Sequence, residues 1–248
     1  MRRGVIEVLA LVGVLAVLVA AGCKGGPHLL SQEDEIRLGR EAGDDFERQY
    51  GLDKDEEVRA LIQGIGSKIA AAAVPPDYPY DFRVLARKEV NANAFPGGRI
   101  YVWRGLVDAL GRDKDQLAWV MGHEAAHVAR RHVTRRLERQ LGYDLLIALV
   151  LGKKGAAKTA GLVADLVMLD YGRDQEYEAD RYGLLYTYRA GYDPTAAVAV
   201  LQTFQKLQGR EPSNFEIFFE THPGNNQRIN AVKAHLKEQG WSGKYYTP

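Results

Sequence analysis

Cysteine is nearly absent from this chain: Cys23 is the only one in 248 residues, so no internal disulfide can form. An excess of either charge is also missing. Removing Arg2, Arg3 and Glu7 with residues 1–22 from 33 basic and 32 acidic side chains leaves 31 of each, a balance that gives nucleic acid no electrostatic handle. Long apolar runs are lacking beyond the N-terminus. The stretch 141–169 is apolar but broken by Gly152, Lys153, Lys154 and Lys158, short of the roughly 18 uninterrupted residues of a membrane span. No 34-residue repeat period is present. What the chain does have is a globular composition, 46% hydrophobic and 26% charged. The 226 residues after position 22 suit one domain with a sizeable core.

The N-terminus carries its own signal. Arg2 and Arg3 precede an apolar run, Val8 to Ala21, and Ala20-Ala21-Gly22-Cys23 is a small-residue site ending in the lone cysteine. The pattern resembles a bacterial lipoprotein signal. On that reading residues 1–22 are removed, Cys23 is lipid-modified, and residues 23–30, with Lys24-Gly25-Gly26-Pro27, tether the domain to a membrane on the periplasmic side of the cell envelope, the outer membrane being preferred. An ordinary secretory peptide or an uncleaved anchor remains the alternative.

Along the rest, turn and cap signals predict a mainly α fold with a small β-sheet (α+β). Ser31 with Asp34 opens a helix that runs to about Tyr50 and stops at Gly51; a second helix spans Val58 to Ala73 before Pro75-Pro76. Strands are expected at Phe82 to Ala86 and Ile100 to Arg104, the second entered through Gly97-Gly98. That second strand either offers an edge to an extended polypeptide or simply packs Tyr101 and Trp103. A helix is predicted from Asp113 to Glu138, with Asp113 and Gln116 as a cap pair and Leu117, Val120, Met121 and Val128 at helical spacing. Tyr143 to Leu151 and Ala160 to Met168 read as two helical pieces, packed in the core or laid over a cleft or membrane. Further helices are expected from Arg173 to Gly191, Pro194 to Gly209 and Asn225 to Gln239. Residues 31–240 form the domain and 241–248 a tail.

The chemistry concentrates in His123-Glu124-Ala125-Ala126-His127. Histidines four apart stand one helical turn above each other, so both imidazoles reach one metal ion while Glu124 faces the same space. A catalytic zinc normally takes three protein ligands and leaves a position open. The third donor comes best from Glu176 in Glu176-Tyr177-Glu178-Ala179-Asp180, with Asp180, one turn on, accepting the free N–H of His123 and Glu178 pointing off that face. The competing readings are core histidines without a metal and a solvated acidic face paired with Arg173 and Arg181. His132, five residues after His127, is rotated about 140° from it on one continuous helix and should not share the metal. His28 and His235 read as surface residues.

These residues resemble the HtpX-like and CAAX prenyl endopeptidase family of zinc metallopeptidases, in its periplasmic, lipoprotein-like branch. The helix from Gln116 to Val128, the Glu176 to Asp180 segment, the Asn91-Ala92-Asn93-Ala94-Phe95-Pro96-Gly97-Gly98 region and His222-Pro223 followed by Arg228-Ile229 occur in the family's order. Asn93 stands where Phe is usual, and Gly172 where Ser often precedes the Arg. The resemblance implies a gluzincin-type fold with the motif on a central helix and one zinc held by His123, His127 and Glu176. It implies Glu124 as the general base and hydrolysis of polypeptides, misfolded or unassembled envelope proteins among them. For Thr221-His222-Pro223 it favours a loop folded over the cleft, where His222 stabilises an anionic intermediate or takes the open metal position and holds the enzyme off; a solvated loop histidine is the plain alternative. A chaperone-like envelope assembly factor with a latent protease site is the second functional reading.

Overall fold

The computed structural model describes residues 29–74, 77–140, 170–207, 222 and 225–248. Outside them lie His28, Cys23 with the whole N-terminal segment, Pro75-Pro76, the two helical pieces expected between Tyr143 and Met168, and Thr221 and Pro223 beside His222. The architecture is mainly helical with one three-stranded sheet.

Helix α1, Gln32–Tyr50, starts where the Ser31 hydroxyl accepts the Asp34 N–H, has acids at Glu33, Asp34 and Glu35, and ends at Gly51 with φ 77°. Helix α2, Glu56–Ala72, begins two residues before the expected Val58, because the carboxylate of Asp55 accepts the N–H groups of Glu57 and Val58 and sets the cap.

The strands are β1, Asp81–Leu85; β2, Ala92–Ala94; and β3, Arg99–Trp103, in the order β1-β3-β2. β1 runs parallel to β3 with Asp81 opposite Arg99, and β2 runs antiparallel with Asn93 opposite Tyr101. Of the two readings of the second expected strand, packing of Tyr101 and Trp103 is the one found. The strand carrying Tyr101 and Trp103 is the centre of the sheet, and both rings are buried in it, Tyr101 donating to Glu47 at 2.7 Å and Trp103 to the Asn93 side chain at 2.8 Å. The edge beside the motif helix is β2. Its Ala-Asn-Ala sequence carries little strand preference, which is why the pattern does not reveal it. Between β2 and β3 a short 3-10 turn, Pro96–Gly98, needs Gly97 at φ 75°, where a Cβ would also lie 2.3 Å from the Ile36 Cα of α1.

After α3, Arg104–Ala109, comes α4, Lys114–Ala129, capped by Asp113, whose carboxylate accepts the N–H groups of Asp115 and Gln116. Every residue from Leu117 to Ala129 is buried, so α4 is enclosed on all sides and forms the axis of the domain. The single helix expected to Glu138 is in fact broken. Arg130 caps α4, Arg131 takes φ 56°, and helix resumes over 132–140. Left-handed backbone costs a non-glycine residue about 1 kcal/mol. The Arg131 guanidinium offsets this by donating to the Leu30 carbonyl at 2.6 Å and pairing with buried Glu35.

Helices α5, Arg173–Arg189, α6, Ala196–Leu207, and α7, Asn225–Gln239, complete the described chain. α5 lies along α4, α6 packs on α4 and α7, and α7 reaches α5. Among the described residues no helix is long and apolar enough to cross a membrane.

Candidate metal centre

The long contact between α4 and α5 puts the two sequence motifs face to face. Small residues let the helices approach: a Cβ on Gly183 would sit 3.0 Å from the His123 backbone nitrogen, and one on Gly122 would sit 3.0 Å from the Gly183 carbonyl. α4 contributes His123 and His127, α5 contributes Glu176, and His222 enters from the segment before α7. The four are fully enclosed, with a ligating atom of each lying within 4.8 Å of the others. His123, His127 and Glu176 thus form a buried metal-binding group.

The distances suit a small tetrahedral ion. His123 Nε2 and His127 Nε2 are 3.0 Å apart, His127 Nε2 is 3.4 Å from Glu176 Oε1, and His123 Nε2 is 3.6 Å from Glu176 Oε2. Ligands about 2.0–2.1 Å from a tetrahedral zinc stand roughly 3.3–3.4 Å from one another, a value these three distances bracket. The protons agree. His123 Nδ1 lies 3.0 Å from Asp180 Oδ1, oblique to the ideal direction, in a contact where only the nitrogen can donate. Nε2 is therefore left bare toward Glu176, itself an acceptor. Acceptors converging in a buried space are costly unless a cation lies between them.

Charges around the group hold it in ligating form. Burial would push the Glu176 carboxyl up, but Arg228, His222 and His127 outweigh it and hold the group well below the usual carboxylate range. Burial, helped by His123 and His132, pushes the His127 imidazole far down and keeps it neutral. Asp180 is likewise opposed by burial and held down by Arg228, whose Nε donates to Oδ2 at 2.8 Å and Nη2 to Oδ1 at 2.6 Å. The third nitrogen of that guanidinium, Nη1, is 2.5 Å from Glu176 Oε2.

Glu124 stands apart. Both its carboxylate oxygens are buried, neither has a hydrogen-bond partner among the described residues, and its nearest charge partner is His222 Nε2 at 3.6 Å. Burial pushes its pKa up to about 8, with Glu176 adding to the rise and His123, Arg136 and Arg228 opposing it. With that pKa the carboxyl holds its proton at neutral pH as long as no cation is near, and the positive charge of a bound metal would favour the carboxylate that a general base needs.

His222 is folded into the cluster, its Nδ1 at 3.1 Å from Glu176 Oε1, and is not a solvated loop residue. Glu178 turns away to Arg130, and Arg173 and Arg181 are not its partners. His235 is half-buried and pairs with Glu238 at 3.1 Å. The sequence reading missed the function of two residues. Arg228 was visible only as a companion of the His-Pro motif, and nothing in its spacing shows that it bridges two buried acids. Tyr171 stacks on His127 with centroids 3.6 Å apart and carries the Arg136 guanidinium at 3.7 Å on its ring. Its only signal is its place just before the acidic motif.

A family model described as peptidase family M48 matches residues 55–236. A putative beta-barrel assembly-enhancing protease of Vibrio cholerae is 30% identical over 258 residues, 91% of this chain and 52% of its own length. The beta-barrel assembly-enhancing protease of Escherichia coli is 30% identical over 213 residues, 78% of this chain and 43% of its own. The mitochondrial metalloendopeptidase OMA1 of Schizosaccharomyces pombe is 25% identical, covering 84% and 63%. The chain spans about half the length of the first two of these relatives.

Proposed function

The chain belongs to peptidase family M48, and from that premise we propose that it is a zinc-dependent metalloendopeptidase of the bacterial cell envelope. The observation that carries the reading is the convergence of His123, His127 and Glu176 around a space that Glu124 faces with no hydrogen-bond partner among the described residues. The donor set suits zinc: two neutral imidazoles and one carboxylate leave a net positive charge on the ion. Bound there, zinc would supply Lewis-acid polarisation of a peptide carbonyl and lower the pKa of a water toward about 7.

The rest falls to the chain itself. Glu124 takes the proton of the attacking water on a carboxylate oxygen and delivers it to the departing amine. Asp180 and Arg228 keep His123 and Glu176 in place. Among the described residues β2 is an edge strand set beside α4, and this supports an extended polypeptide as substrate, since backbone hydrogen bonds bind with little dependence on side chains. Misfolded or unassembled envelope proteins are the natural class, supported by relatives whose names refer to β-barrel assembly. The N-terminal pattern supports lipid attachment at Cys23 and a periplasmic position in the envelope.

His222 favours a second, compatible reading. Lying at 3.1 Å from Glu176 and 3.6 Å from Glu124, it is placed to hold a fourth ligand position and keep the site latent, so that the protein acts in envelope assembly without cleavage. Zinc content and casein cleavage of the wild-type chain, Glu124→Gln and His222→Ala test both. One zinc in wild type and Glu124→Gln, with cleavage at least 100-fold lower in the latter, is expected of the protease. Higher cleavage by His222→Ala than by wild type is expected of a latent site. His123→Ala and Glu176→Ala should lose the metal. Undiminished cleavage by Glu124→Gln would reject the assignment.

A further inference from the structure

The break after α4 has a consequence for the second imidazole of the cluster. On an unbroken helix His132 would point away from His127, but the turn through Arg130 and Arg131 brings it back beneath, with the two Nδ1 atoms 3.0 Å apart. The other nitrogen of His132, Nε2, lies 3.0 Å from Glu178 Oε2, and Glu178 Oε1 accepts from Arg130 Nε at 2.7 Å. His132 is wholly buried, whereas the Glu178 side chain is 33% exposed, so a chain of four residues runs from the surface to His127.

Hydrogen positions along this chain follow from donor and acceptor capacity once the enclosed imidazoles are neutral. A carboxylate only accepts, so His132 Nε2 carries the hydrogen. An enclosed imidazole is neutral, so His132 Nδ1 is bare and accepts. His127 Nδ1 must then donate, which leaves His127 Nε2, 3.0 Å from His123 Nε2, as a bare lone pair facing the metal-binding space. His123 reaches the same state through Asp180.

We propose that His132 and Glu178, oriented by Arg130, are positioning residues that fix His127 as the Nδ1–H tautomer and so set the metal affinity of the centre. The proposal rests on the zinc reading above and extends it to two residues outside the metal-binding group. Tyr171, stacked on the other face of His127, restrains the ring plane; the His132–Glu178 pair decides which nitrogen faces the ion. Partners of this kind, when removed, typically cost 10- to 100-fold in metal affinity.

The test uses the full chain, with zinc dissociation constants from chelator competition and histidine-selective ¹⁵N spectra of the metal-free protein. His132→Leu keeps the volume and removes the acceptor, and should weaken zinc about 10- to 100-fold. His132→Asn places an amide oxygen near the position of Nδ1 and should recover most of that loss. Glu178→Ala should weaken zinc in the same direction, and the wild-type spectrum should show His127 protonated on Nδ1. Wild-type affinity in His132→Leu, an Asn variant no better than Leu, or His127 protonated on Nε2 would each overturn the proposal. If circular dichroism shows His132→Leu unfolded, wild-type affinity in Glu178→Ala overturns it instead. A wild-type chain that binds no zinc would defeat the metallopeptidase reading alone, because the tautomer of His127 is read without metal.

Discussion

Arg228 is only 1% exposed, and its charge is tolerable there because Asp180 and Glu176 take up the whole guanidinium. Breaking such a set leaves two buried carboxylates uncompensated, which costs about 3–5 kcal/mol. Arg228→Met should lose that much in urea unfolding and bind zinc more weakly. Arg228→Lys should recover little, since a point charge cannot make both parallel bonds to Asp180. At this scale His222 was marked only by the family resemblance, whereas the pairs His123 with His127 and Glu176 with Asp180 were legible because helical spacing states which side chains share a face. Arg228 and Tyr171 were not, because each acts across a tertiary contact that no spacing within its own helix encodes.

Among the elements, the α4–α5 contact decides whether the centre exists. Gly183 lets the His123 backbone approach, and its carbonyl also accepts the Thr187 hydroxyl at 2.7 Å. Gly183→Ala pushes a methyl group against backbone, which has no rotamer to escape into. A cost of about 1–3 kcal/mol is expected, read as a lowered melting temperature, together with weaker zinc binding as His123 moves from Glu176. Gly64, where a Cβ meets nothing within 4 Å, is the control site: Gly64→Ala should leave both readings unchanged or raise stability slightly. Caps made the starts of α1 and α4 readable, since Ser31 and Asp113 act on their own chain within three residues. The break at Arg131 was hidden because its left-handed backbone is held by Leu30 and Glu35, about a hundred residues away.

Across the whole molecule, the C-terminal residues tie the start of the motif helix to the end of the chain. The Tyr245 hydroxyl donates to Asp113 at 2.6 Å, and the Lys244 Nζ to the same carboxylate at 3.2 Å, so the N-cap of α4 is held by residues more than 130 positions away. Burial would raise the Asp113 carboxyl, but Tyr245, the Gln116 N–H and Lys244 outweigh it and hold it below its ordinary value of 3.8. A depressed carboxylate stabilises the fold above its unfolded pKa and loses that contribution as pH falls through its folded one. Tyr245→Phe should therefore cost about 1 kcal/mol at neutral pH, and the difference in melting temperature from wild type should shrink below pH 3.8.

The sequence by itself determined the helix caps, the mainly helical class and the spacing that puts His123, Glu124 and His127 on one helix, because each is settled within a few residues. Tertiary structure decided the central place of β3, the turn that returns His132 to His127, and the meeting of Glu176, Asp180 and Arg228 with the motif. Those arrangements depend on close approach between segments tens of residues apart, and no local preference of the chain contains that information.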